Sequence, residues 1–145
     1  MGHFEDERIA IETRLADNWE SAPGTLRTPI RYWSSGALFE IPDEAPWIAL
    51  QDEPDLGRQV SLGDGVQLHR YDGLITIQVF TPERTGPVAA DQYVELLDPI
   101  WRRAEFSHGE SGLIRCRTPW AVRVGVLDGW YQVNLKVRYQ RDRQH

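Results

Sequence analysis

The sequence predicts an α+β fold of two layers: a mainly antiparallel β-sheet with β-hairpins, covered by two α-helices. Three observations carry this. An Asp128-Gly129 pair divides two runs in which every second residue is apolar, the pattern of a tight hairpin. A second alternating run, Tyr71, Ile75, Ile77 and Val79 against Asp72, Thr76 and Gln78, gives a strand with one apolar side. Two segments repeat their apolar residues at helical spacing and supply the covering layer.

The first helix spans Phe4 to Trp19. Phe4, Ile11, Leu15 and Trp19 fall on one stripe, and Arg8 can lay its stem along it. Glu5, Asp6 and Glu7 occupy the first turn, where the helix dipole favours acids. "SAPGT" stops the helix. Thr28 to Trp33 reads as a short strand, and "SSGALFEIPDEA" as an irregular connection. Pro46 to Glu53 is a strand opened by a proline, which is tolerated at that position. In "RQVSLGDGVQLHRYDGLITIQVFTP", Gly63, Asp64 and Gly65 turn the chain between two strands. Gly73 interrupts the apolar side there, as a bulge or a close backbone approach.

The second helix is "ERTGPVAADQYVELLDPIWRRAE". Ala90, Val94, Leu97 and Trp101 form its apolar face, widened by Tyr93, Leu96 and Ile100. Pro87 suits the first turn. Pro99 removes a backbone bond, so a kink or an end is expected near Asp98. "EFSHGESG" is a loop. In the last hairpin a two-residue turn sets Leu127 opposite Trp130, Val126 opposite Tyr131, Val124 opposite Val133 and Val122 opposite Leu135. The pairs of Val126, Val124 and Val122 are expected to share the buried side. The locally basic end, about 139–145, reads as a solvated face and tail.

The chain has 145 residues, which suits one domain spanning 1–145 and a core that needs no disulfide or metal. A single cysteine, Cys116, excludes an internal disulfide and reads as a packed strand residue. The opening residues do not form a basic segment followed by an apolar run, so no secretory signal is expected. No apolar run approaches the ~20 residues of a membrane span. A net charge of −6 argues against a dedicated nucleic-acid binder.

Catalytic patterns are missing. His3, His69, His108 and His145 are not at metal-ligand spacing, and no phosphate loop or nucleophile elbow occurs. No cofactor and no metal site is expected. Asp43 and Glu44, and then Asp52, Glu53 and Asp55, read as solvated acidic loops without calcium-loop spacing. Six tryptophans are many for this length, and most belong in the core. Trp130, beside Leu127 on the outer side of the last hairpin, is the candidate for contact with another chain.

The succession of "FEDERIAIETRLADNW", "TPIRYW", "PWIALQ", "LGDGVQLHRYDGLITIQVFTPERTG", a second helix and "TPWAVRVGVLDGWYQVNLKVRYQ" resembles the tail terminator (tail completion) proteins of long-tailed bacteriophages, also found in prophages and gene transfer agents. The resemblance covers nearly the whole chain and rests on structural patterns. It implies a non-enzymatic virion protein, assembled in the host cytoplasm, that forms a hexameric ring on the head-proximal end of the tail. Its partners would be copies of itself, the major tail tube protein and the head-tail connector or stopper protein. DNA would pass through the lumen without specific binding. The expected interface residues are Asp52, Glu53, Asp55, Arg58, Gly63, Asp64, Gly65, Leu127 and Trp130. Two alternatives stay open: a head-side adaptor, stopper or other neck protein, and a small α+β enzyme or ligand-binding domain with a pocket beneath the helices.

Overall fold

A computed structural model describes residues 2–20, 28–33, 39–54, 58–62 and 67–144; for Glu20 and for residues 58–62, 67–68 and 143–144 it describes the backbone alone. The elements run α1 (His3–Glu20), β1 (Ile30–Tyr32), β2 (Trp47–Pro54), β3 (Arg58–Leu62) and β4 (Gln67–Pro82). A 3-10 turn (Glu83–Thr85) then leads into α2 (Gly86–Trp101). β5 (Glu105–Phe106), β6 (Ile114–Cys116), β7 (Trp120–Leu127) and β8 (Trp130–Gln144) follow.

The eight strands of the described residues join one sheet, in the order β1-β2-β4-β8-β6-β5, with β3 paired to β4 and β7 paired to β8. Every pairing is antiparallel except β1 with β2. The two long strands β4 and β8 form the spine, in unbroken register from Leu68 opposite Gln144 to Pro82 opposite Trp130. Both helices lie on one side of this spine. The core there gathers Ile11, Leu15 and Trp19 of α1 with Ala90, Leu97 and Trp101 of α2. From the sheet it takes Ile48, Leu50, Ile75, Ile77, Val79, Val133, Leu135 and Val137. The predicted α+β two-layer architecture is therefore the one observed.

Four local readings need correction. First, the buried stripe of α1 is Glu7, Ile11, Leu15 and Trp19, at intervals of four; Phe4 is 46% exposed. The helix is turned so that a carboxylate faces the sheet, while Phe4 caps the end of the layer edge-on to Tyr71, ring centroids 5.4 Å apart. Second, α2 continues through Pro99 to Trp101. The proline sits in the last turn, where it removes one intrahelical bond, and the buried Ile100 and Trp101 hold that turn on the core. Third, β8 extends to Gln144, so the basic end is a strand, and its Arg141 is fully buried.

The fourth correction concerns the last hairpin. The turn is as expected, with positive φ at Asp128 (53°) and Gly129 (84°), and with Leu127 opposite Trp130 and Val126 opposite Tyr131. Beyond Gly125 the register slips. Arg123 faces Val133 and Ala121 faces Leu135, in place of Val124 and Val122. Gly125 has φ 106°, a conformation open to glycine, and it lets β7 bulge. The extra residue puts Arg123 on the helix side, where it meets Asp91 of α2 at 3.0 Å. Val122 and Val124 are left outside.

Candidate functional site

Two features of this fold can carry function: a charged cluster under α1, and the hairpin that ends at Asp128-Gly129.

The cluster forms because three strand and helix patterns place charge on the inner side. Asp52 follows Ile48 and Leu50 by alternation along β2. Arg141 follows Val137 and Tyr139 along β8, and Glu7 precedes Ile11 by one helical interval. Arg141 donates from Nε to Glu7 Oε2 at 2.5 Å and from Nη1 to the Ser111 carbonyl at 3.0 Å. Its Nη2 lies 3.0 Å from His3 Nδ1. The guanidinium also stacks over Tyr71, 4.4 Å from the ring centre. The Tyr139 hydroxyl is hydrogen-bonded to Glu7 and lies 2.6 Å from Asp52 Oδ1.

One phenol proton cannot serve two carboxylates. Burial, then the neighbouring Glu7 charge, pushes the Asp52 carboxyl up to about 7, so a second proton is available near neutrality. Burial and the same two carboxylates push the Tyr139 phenol far above its ordinary range. The Tyr139 ring passes against Gly73, directly opposite in β4, where any Cβ would collide with it. Gly73 thus marks a close approach, with no bulge. Asp52 is the cluster's one member on the wall of a shallow groove of 310 Å³, shared with Phe4, Arg8, Trp33 and Leu50. The other polar groups spend their bonds on one another. The cluster clamps the start of α1 to β2 and β8, assisted by Asp6, whose carboxylate accepts the Glu110 N–H at 2.8 Å.

Burial likewise pushes the Cys116 thiol up to about 12, which removes it as a nucleophile at neutral pH. Among the described residues no three His, Cys, Asp or Glu side chains group closely enough to hold a metal, and no helix is long and apolar enough to cross a membrane.

The hairpin end is different. Val122, Val124, Val126 and Leu127 are 38%, 52%, 55% and 67% exposed. β7 pairs with β8 alone among the described strands, so its other edge presents unpaired backbone groups. Trp130 is half-buried, edge-on to Trp47 at 6.2 Å, and Trp47 stacks on Phe80 at 4.1 Å. The structure therefore brings Leu127 and Trp130 together at this end. It does not bring Asp52 there: that residue, read as a solvated loop acid, faces α1 from the far half of β2. Glu53 is exposed beside it. Arg58 is paired through its backbone with Arg70, and Asp55, Gly63, Asp64 and Gly65 lie outside the described residues. The residues missed by sequence reasoning are Glu7, Tyr139 and Arg141, although the phase of each run pointed inward.

No family model and no curated protein matches this chain. Seven solved chains match it. One of them, described by a sequence identifier alone, aligns with a TM-score of 0.74 over 94% of both chains at 20% identity. That likeness establishes the α+β architecture.

Proposed function

We propose that this chain is a structural virion subunit. It forms a ring that caps the head-proximal end of a phage tail tube, stops tube growth and offers a surface for head joining. The observation that carries the reading is β7, a strand with four exposed aliphatic side chains and, among the described strands, a partner on one edge alone. Such an edge is a hazard to a lone monomer and an asset to a subunit whose neighbours cover it. The resemblance of nearly the whole chain to tail terminators supports the same reading. So does the way Glu7, Tyr139 and Arg141 spend their bonds within the cluster under α1. Electron microscopy of lysates from a phage lacking this gene tests it. Overlong tubes beside tailless full heads are expected. Normal-length tails that fail to join heads would move the protein to the connector side, and intact infectious particles would remove it from the virion.

One observation favours a second reading, a ligand-binding or catalytic domain. Asp52 titrates near neutrality and borders a groove. A small-molecule ligand whose binding is lost in Asp52→Asn, with the fold intact, would establish it.

A further inference from the structure

The two ends of the last hairpin carry opposite charge. At the end where β7 begins, Arg103, Arg117 and Arg138 surround Trp120 in an open groove of 480 Å³. All three arginines are exposed, and the Arg138 guanidinium sits 5.5 Å from the centre of the Trp120 ring. Among the described residues none of the three has a carboxylate within ion-pair distance, whereas Arg115 and Arg123 nearby are both paired. At the turn end, Asp43, Glu44, Glu83 and Asp128 line a groove of 590 Å³ floored by Trp130. Arg84 is the only base on that wall, and its bridge to Glu44 is long, 4.0 Å, between two well-exposed groups. Such a bridge contributes little. Three arginines thus face four carboxylates less one arginine, a match of charge on a protein of net charge −6. The grooves stand roughly 25 Å apart, the length of an eight-residue strand.

From this we infer that the two grooves are the halves of one contact between copies of this chain: the arginine end of one copy seats against the acidic end of the next. The inference rests on the assembly reading above and specifies its partner and polarity. Each half combines a tryptophan, which supplies apolar area, with charge, which selects the partner and the direction. Two arginine ends repel each other, as do two acidic ends. The contact therefore joins different patches, and repeated contacts give a ring or a filament. This supplies the direction that the symmetric-looking apolar edge of β7 lacks.

The test is sedimentation velocity of the full chain at low salt with two charge-swapped variants, Arg117→Glu/Arg138→Glu and Glu44→Lys/Glu83→Lys. All four positions are exposed. Far-ultraviolet circular dichroism and thermal melting are expected to match wild type. Wild type is expected to form species larger than a dimer, weakening as ionic strength rises from about 0.05 to about 0.5 M. Each variant alone is expected to associate at least about tenfold more weakly. An equimolar mixture of the two is expected to regain the large species, because each chain then meets only its complement. Wild type that stays monomeric, a complex that stops at two copies, variants that assemble as wild type does, or a mixture that fails to recover would each overturn the contact. So would retention of short duplex DNA by the arginine groove with no self-association, which would make nucleic acid its occupant. Swapped variants that still cap tails at normal length would overturn the contact and leave the ring standing. Head-to-tail assembly in solution by a chain whose loss leaves tails unchanged would do the reverse.

Discussion

The two arms of the last hairpin have similar alternating sequences and opposite fates. On β8, Val133, Leu135, Val137 and Tyr139 are at most 1% exposed. On β7, Val122, Val124, Val126 and Leu127 stand in solvent. β8 has β4 along one side, β6 and β7 along the other, and the helices over its inner face. Among the described strands β7 has one neighbour, and its bulge turns Val122 and Val124 away from the layer that could cover them. Alternation decides which residues share a side of a strand. Position in the sheet decides whether that side is buried, and position is a property of the whole chain.

The comparison is broken most severely at the inner end of β8. Arg141→Ala leaves the buried Glu7 carboxylate without its cation, and a cost of about 3–5 kcal/mol is expected in urea denaturation. The paired replacement Glu7→Leu/Arg141→Met removes both charges and is expected to recover most of that loss. If the double variant is as unstable as the single one, the ion pair contributes through geometry that an apolar pair cannot supply.

These residues also mark the limit of what was legible in the sequence. The apolar face of α2, the inner side of β4 and the Asp128-Gly129 turn were readable because local spacing and turn chemistry determine them. Tyr71, Ile75, Ile77 and Val79 are indeed inside. The register beyond Gly125 was not readable. A strand of valines is compatible with both registers, and the bulge is favoured by an ion pair with α2, 32 residues away. Glu7, Asp52 and Arg141 each lay in phase with an apolar run, yet a lone charge in such a run is ordinarily a solvated residue. What reverses that expectation is the meeting of partners separated by 87 to 134 residues, which no local window contains.

A smaller effect follows from Asp52. Its carboxyl is raised from 3.8 to about 7 in the folded protein, so between those values the folded state holds a proton that the unfolded state has released. This contribution to stability is fully present below about pH 4. It falls as pH rises toward 7 and is flat above. The groups that face Asp52 are Glu7 from α1 and Tyr139 and Arg141 from β8. Asp142, lowered first by its Arg70 hydrogen bond, acts in the opposite sense, losing stability as pH falls, and it is common to wild type and variant. Thermal melting of wild type against Asp52→Asn isolates the Asp52 term. The variant's advantage is expected to grow from near zero at about pH 4 to a plateau above about pH 7, at roughly 3 °C per kcal/mol for a chain of this size. A difference independent of pH would mean that Asp52 is already ionised in the fold.

The smallest expected change in stability is the sharpest probe of what β7 is for. Leu135 on β8 and Leu127 on β7 are the same residue type on the two arms, 1% and 67% exposed. Leu135→Ala opens a cavity under the helices and is expected to cost about 2–5 kcal/mol. Leu127→Ala removes a side chain that the monomer scarcely buries, so its cost is expected to stay within about 0.5 kcal/mol. If Leu127 stands at an assembly surface, the same substitution weakens self-association measured by sedimentation while the melting curve of the dilute chain stays put. A loss of monomer stability comparable to that of Leu135→Ala would show that β7 is covered within the single chain. Unchanged association with unchanged stability would move the interface away from the turn and onto the valines of the free edge, where Val124→Thr is the next substitution to measure.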